Sequence, residues 1–255
     1  MQLIDVVIPA HEKDLLTLEH VIAAVKRNAA NIRRIIVVSK EKYTDKAEWF
    51  DEALYPFSYK EISDILGGER VGWHYQQLLK LYACFAIPGI SENILILDAD
   101  TVFYRKVQFF SPEGVPLYNL CKDKDLDKSD FQQTAFKHIL KILPDIAQNF
   151  PQEFTNISGV CHHMLFQRNI ISDLMQRVEK ADGSGDKFYK IFLKSREGSI
   201  AEYNLYFYFL ISCHPKNYKI RILKYKNTSK FSPWKERLRK KYHYCSYHSY
   251  MREEG

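Results

Sequence analysis

The chain has 255 residues, 46% hydrophobic and 14% aromatic, with a formal net charge of +6. That length suits one domain with a sizeable core, and so modest a charge is no nucleic-acid signature, so no nucleic-acid partner is expected. No apolar stretch approaches the roughly 20 residues that span a bilayer. The start shows no basic n-region or small-residue cleavage site, so no signal peptide is expected. Five cysteines, Cys84, Cys121, Cys161, Cys213 and Cys245, are scattered without a C-x-x-C pair. That pattern argues against a disulfide framework or structural zinc and for a reducing cytosol.

In chain order, Leu3–Pro9 is the first strand, ended by Pro9, which has no N–H to donate. A polar loop over Ala10–Asp14 follows, with Asp14 as a cap. Leu15, Leu18, Val21, Ile22 and Val25 fall at helical spacing. Arg33–Ser39 is the second strand, completing a βαβ unit. Residues 40–70 read as short strands and loops, broken by Pro56 and Gly67-Gly68. Val71–Phe85 is a helix with an apolar stripe and a second face carrying Trp73, Gln77 and Lys80. Pro88-Gly89 ends it.

The run Asn93-Ile94-Leu95-Ile96-Leu97 then drives into Asp98-Ala99-Asp100. Such a run reads as a strand buried on both faces of a parallel sheet. Residues i and i+2 of an extended segment point the same way. Asp98 and Asp100 are therefore expected to project together from the strand's carboxyl end, where open α/β sheets bind ligands. Adjacent carboxylates repel unless a cation lies between them, and a divalent metal with phosphate oxygens resolves this. Further on, Phe131–Leu143 is a helix, the segment before Phe166 a loop and strand, and Asn169–Glu179 a helix. Ala181–Asp186 is a turn, Ile200–Ser212 a buried helix, and Tyr218–Tyr225 a strand. The segment Trp234–Tyr242 is basic and aromatic.

Two enzyme classes share an Asp-x-Asp after an apolar strand. In haloacid-dehalogenase-like phosphatases Asp98 would be the nucleophile. That class places the motif near the N-terminus, whereas about 90 residues precede it here. It also needs a downstream acidic pair after a strand; Asp182-Gly183-Ser184-Gly185-Asp186 follows a helical pattern. Thr101 stands one place earlier than that class prefers. Nucleotide-sugar glycosyltransferases of the GT-A type are the other class. The stretch 83–100 resembles their helix–loop–strand entry to the Asp-x-Asp. Val6–Asp14, Gly72–Leu81, Ser158–Phe166 and Ala201–Tyr206 resemble, in order, a group of small bacterial glycosyltransferase-like proteins, mostly uncharacterised.

The resemblance implies a single α/β domain of GT-A type, with a Rossmann-like, mostly parallel sheet. Its nucleotide-binding half would span about 1–105, its acceptor side about 106–232, and a basic tail at 233–255 would close the site. It implies transfer of a sugar from a nucleoside-diphosphate sugar to a glycan or lipid-linked acceptor, in surface polysaccharide synthesis, with Mn²⁺ or Mg²⁺ held by Asp98, Asp100 and His248. His243 is a second, weaker ligand candidate. His11, Glu12 and Lys13 would lie by the donor, where a loop at the first strand's carboxyl edge belongs. Lys80 would meet a phosphate as a point charge. His162, His163 and Tyr203 would lie on the acceptor side. Neighbouring histidines in a strand face opposite ways, so at most one of the two enters the site. Glu202 would be the catalytic base of an inverting reaction; equally, Ser199-Ile200-Ala201-Glu202 reads as a capping box. The basic tail offers peripheral contact with an anionic inner-membrane surface. A non-catalytic module that binds nucleotide sugars or glycans is the third reading.

Overall fold

The structure is a computed structural model and describes residues 2–121, 129–151, 157–229, 231 and 239–248. Its strands are β1 (Ile4–Pro9), β2 (Ile32–Ser39), β3 (Glu48–Asp51), β4 (Asn93–Leu97), β5 (Thr101–Phe103), β6 (Leu117–Asn119), β7 (His163–Gln167), β8 (Lys219–Arg221), β9 (Tyr225–Asn227) and β10 (Tyr244–Ser246). Its α-helices are α1 (Leu15–Asn28), α2 (Tyr59–Leu66), α3 (Val71–Ala86), α4 (Asp130–Ile142), α5 (Ile146–Asn149), α6 (Arg168–Asp182), α7 (Phe188–Lys194) and α8 (Glu202–Cys213). None is long and apolar enough to cross a membrane, among the described residues.

The central sheet runs β3-β2-β1-β4-β7. Its first four strands are parallel and β7 is antiparallel to β4. This is the mostly parallel sheet that the apolar runs predict. Every residue of β1 is buried, Asp5 included. A buried carboxylate must be paired, and Arg33 of β2 grips Asp5 through Nε and Nη2, with the Ser91 amide donating as well at 2.8 Å. The chain steps outward from β1 to β2 and β3, then returns to place β4 on the other side of β1. That reversal makes a switch point, and ligands bind beyond the strand ends there.

Residues 40–70 hold more helix than expected. Ser58 Oγ accepts from the Glu61 amide at 3.1 Å, Ile62 and Leu66 are buried, and Gly67 closes α2 at φ 64°. The cap, the i, i+4 apolar pair and the left-handed stop act together, although the surrounding breakers hide them in the sequence. α7 was likewise not expected. The single strand anticipated over Tyr218–Tyr225 is two short ones, β8 and β9, in different sheets. The tail residues 232–238, with most of the basic stretch, lie outside the described residues.

The remaining sheets close the site. β10 pairs antiparallel with β5, Ser246 opposite Thr101, and parallel with β9. α8 is buried from Glu202 to Ser212, as its apolar run predicts. It packs so closely on the loop before β7 that a Cβ on Gly159 would stand 2.6 Å from Phe207 Cβ and 3.0 Å from the Tyr203 carbonyl oxygen. Asn204 Oδ1 fixes that loop by accepting from the Gly159 amide at 2.8 Å and Ser158 Oγ at 3.0 Å. Gly159→Ala should therefore destabilise the fold by about 1–3 kcal/mol through overpacking, lowering Tm in thermal unfolding by about 2–4 °C per kcal/mol. An unchanged Tm would show that α8 can retreat from the loop.

Candidate active site

β4 ends at Leu97, and the chain turns at once. The Thr101 amide donates to the Asp98 carbonyl at 3.0 Å. Asp98 and Asp100 thus flank a tight turn and do not project in parallel from an extended strand. Their partners differ accordingly.

Asp98 Oδ1 accepts from Lys80 Nζ at 2.6 Å and Tyr203 OH at 2.8 Å, and its Oδ2 lies 3.1 Å from His162 Nδ1. Its backbone amide donates to the His162 carbonyl at 3.0 Å. Burial by itself would raise the Asp98 pKa, but Lys80 and then His162 outweigh it and hold the carboxyl well below the usual range.

Lys80 Nζ also reaches Glu202 Oε1 at 2.7 Å and lies 4.5 Å from the centre of the Tyr203 ring. Its side chain is only 3% exposed, so Lys80 does not stand on a solvated helix face. Burial would neutralise an ammonium, yet Asp98 and Glu202 outweigh that and raise its pKa. α3 brings Lys80 and Gln77 to the same place, one turn apart, and Gln77 Oε1 accepts from the Glu202 amide at 3.0 Å. Glu202 is the first residue of α8, with Ala201 as N-cap and no side-chain cap. The Ser199-x-x-Glu202 capping box does not form, because the ammonium is the stronger partner for that carboxylate. Burial, reinforced by Asp98, pushes the Tyr203 hydroxyl pKa upward, so it stays a donor.

Asp100 pairs with His248, whose Nδ1 stands 3.2 Å from Oδ2. The pairing of β10 with β5 delivers His248, and the Tyr247 amide donates to the Asp100 carbonyl at 3.0 Å. The His248 and His162 rings lie 4.4 Å apart, joining both aspartates in one cluster. His243, the weaker metal candidate, sits at the other end of β10, its Nδ1 accepting from the Lys224 amide at 3.0 Å. His162 holds a left-handed backbone, φ 60°, a conformation costly for a residue with a Cβ. His163, the first residue of β7, faces the core. It is 1% exposed, its Nε2 is beside Asn119 and its ring is against Tyr244, and burial lowers its pKa to about 3.

The loop after β1 borders the same region. Thr17 Oγ1 donates to the Ala99 carbonyl at 2.9 Å. Asp14 does not cap α1 with its side chain; it accepts from the His11 amide at 3.0 Å within a 3₁₀ turn, Glu12–Asp14. Burial raises the Asp14 pKa, and the fields of Asp100 and Asp98 add to it. Asp14 is therefore a third carboxyl near the pair, hidden in the sequence by its reading as a helix cap. His11 and Lys13 are exposed on this loop. The Asp182–Asp186 stretch is a surface turn in which Asp182 accepts from the Ser184 amide and Asp186 pairs with Lys194, an arrangement without a paired acidic site.

Among the described residues no three His, Cys, Asp or Glu side chains stand gathered for a metal. The donor types suit one nonetheless. Asp100 offers carboxylate oxygens and His248 an imidazole nitrogen, a set Mn²⁺ accepts. Asp98 is already saturated by Lys80, Tyr203 and His162.

The electrostatics predict the outcome of Lys80→Met. Two carboxylates would be left uncompensated in a buried site, at a cost of about 3–5 kcal/mol at neutral pH. A carboxyl whose folded pKa is lowered contributes stability above its unfolded value of about 3.9, and loses it as pH falls toward the folded value. The variant lacks the share of that lowering which Lys80 supplies, so the Tm gap between it and the wild type should narrow as the pH drops below about 4. A gap independent of pH would place the loss in packing.

No curated protein matches the sequence. Among solved structures the fold is similar to the mannosyltransferase Ktr4p from S. cerevisiae in complex with GDP, at 9% identity, 86% coverage of this chain, 69% of that chain and a TM-score of 0.51. It is also similar to the bifunctional glycosyltransferase WbbM, at 16% identity, 96% coverage and a TM-score of 0.50, this chain spanning 46% of that one. At such identities the likeness is one of fold: a single α/β domain of GT-A type with a mostly parallel sheet. A family model matches residues 6–230, and the chain belongs to the Family of unknown function (DUF6492).

Proposed function

We propose that this protein transfers a sugar from a nucleoside-diphosphate sugar to a hydroxyl of a glycan or lipid-linked acceptor, using Mn²⁺ or Mg²⁺, in surface polysaccharide synthesis at the cytoplasmic side of the inner membrane. The observation that carries the reading is the Asp98–Asp100 turn beyond the carboxyl end of β4, beside β1, with His248 brought to Asp100 from the far end of the chain. In this reading about 1–105 is the donor half and about 106–232 the acceptor side, and of the tail from 233 the described part, 239–248, closes the site.

Asp100 and His248 would hold the metal, with Asp98 joining if Lys80 yields one oxygen. A divalent ion there supplies positive charge to the departing diphosphate. His11 and Lys13 would meet the nucleoside from the loop after β1. Tyr203 orients Asp98 by its hydroxyl and presents its ring toward the acceptor side with His162; His163 supports that wall from the core. Lys80 acts as the buried counter-charge rather than as an exposed phosphate clamp. Glu202 stays the catalytic candidate for an inverting reaction. In the arrangement described it is ion-paired with Lys80 and 8% exposed. Its contribution is then charge and position until Lys80 releases it.

Thermal-shift titration with nucleoside diphosphates and nucleotide sugars, with and without Mn²⁺, tests the reading, since a ligand stabilises in proportion to its occupancy of the folded state. Stabilisation should require the metal in the wild type and vanish in Asp100→Asn, which should fold normally. Asp100→Asn should also lower transfer by about 10²-fold or more. Metal-dependent stabilisation that survives Asp100→Asn would remove that residue from the site. Glu202→Gln should keep donor binding and lose transfer; loss of donor binding with it would instead mark Glu202 as purely a partner of Lys80.

A further inference from the structure

The segment from His214 to His248 carries eleven lysines and arginines against a single acid, Glu236, while the whole chain is only +6. The rest of the molecule is therefore net acidic, and the charge is polarised onto one part of the chain. The fold concentrates it further. His243 binds Lys224 in both directions, its amide donating to the Lys224 carbonyl at 2.6 Å and its Nδ1 accepting from the Lys224 amide. Its own carbonyl accepts from the Arg105 amide at 3.3 Å. This brings a cation from the end of β5 alongside those of β8, β9 and β10. Lys224 and Lys241 both place their ammonium groups over the Tyr242 ring, at 5.9 and 5.2 Å. The fields of Arg105 and Arg221 both reach the His243 imidazole.

Two features mark this face. Some exposed cations elsewhere find carboxylates, such as Arg34 with Glu48, Lys46 with Glu19 and Lys141 with Glu197, and on β8 Lys219 finds Glu113. Among the described residues Arg105, Arg221, Lys224 and Lys241 form no ion pair. Two residues before Lys224 in the chain, Ile222 is 58% exposed. An aliphatic side chain standing in water beside such cations matches the interfacial zone of a bilayer, where headgroup phosphates neutralise the cations and the acyl boundary takes the apolar group. A nucleic acid or a soluble anion would satisfy only the charges.

We propose that the face formed by Arg105, Ile222, Lys224, Lys241 and Tyr242 docks on an anionic lipid surface. The same β10 carries His248 at its other end, so docking would hold the candidate site at a set height and tilt over the membrane. The proposal uses described residues, of which only Lys241 and Tyr242 belong to the basic tail, and does not depend on the transfer reading, because docking needs neither donor nor metal.

Co-sedimentation of the full chain with vesicles, without nucleotide, decides it. The protein should pellet with phosphatidylcholine vesicles that contain phosphatidylglycerol, remain in solution with phosphatidylcholine alone, and be released by salt, which shortens the screening length. Partitioning should fall roughly fivefold for each cation neutralised, so Arg105→Glu/Lys224→Glu/Lys241→Glu should lower it by about a hundredfold or more. Ile222→Ser, which leaves every charge in place, should lower it about fivefold. Both variants should keep the wild-type Tm. Equal binding to neutral vesicles, or wild-type partitioning of the charge-reversed variant, would overturn the proposal. So would binding to nucleic acid or inorganic phosphate with no vesicle binding.

Discussion

One buried ammonium holds this site together. Lys80 lies between Asp98 and Glu202, at 2.6 and 2.7 Å, in a region where its side chain is almost completely shielded from water. Removing a cation and two carboxylates from water is costly, and only close mutual pairing offsets it. Three elements are therefore bound to one another by charge: α3 through Lys80, the turn after β4 through Asp98, and α8 through Glu202. Gln77 repeats the tie one turn earlier by accepting the first amide of α8. Asp100, excluded from this knot, pairs with His248 and accepts from Thr101 Oγ1 at 3.4 Å.

The second constraint is closure by a distant strand. β10 pairs with β5 across more than half of the chain's length, and this pairing alone brings an imidazole to Asp100. The left-handed backbone at His162 serves the same junction, since it lets the residue offer both its carbonyl and its ring to Asp98. Neighbouring His163 is spent on the core. Strained backbone held by several contacts is what a site that fixes its geometry in advance requires.

Much of the fold was legible because it rests on local pattern. The all-apolar runs of β1 and β4 announce a parallel sheet, the stripe over Val71–Phe85 announces α3, and the apolar run after Ala201 announces a buried helix. α2 was missed although Ser58, Glu61 and Gly67 mark its ends; the breakers around it outweighed a helix of two turns. β10 was missed because three residues in a basic, aromatic tail carry no periodicity. The Asp5–Arg33 pair was also invisible, since a charged residue inside an apolar strand discloses nothing about its partner.

The sequence by itself determined that the chain builds an open α/β sheet and that two carboxylates follow its central apolar strand, because both depend on residues close together in the chain. The resemblance to GT-A glycosyltransferases also singled out Lys80, Glu202, His162 and His248. Only the tertiary structure decided what each of them does. Lys80 is neutralised by two carboxylates rather than waiting for a phosphate, Glu202 faces an ammonium rather than its own helix cap, and the two aspartates part company at a turn. The pairings of Lys80 with Glu202 and of Asp100 with His248 join residues more than a hundred positions apart, where desolvation and Coulomb attraction choose the partner, while the parting of the aspartates is a local turn.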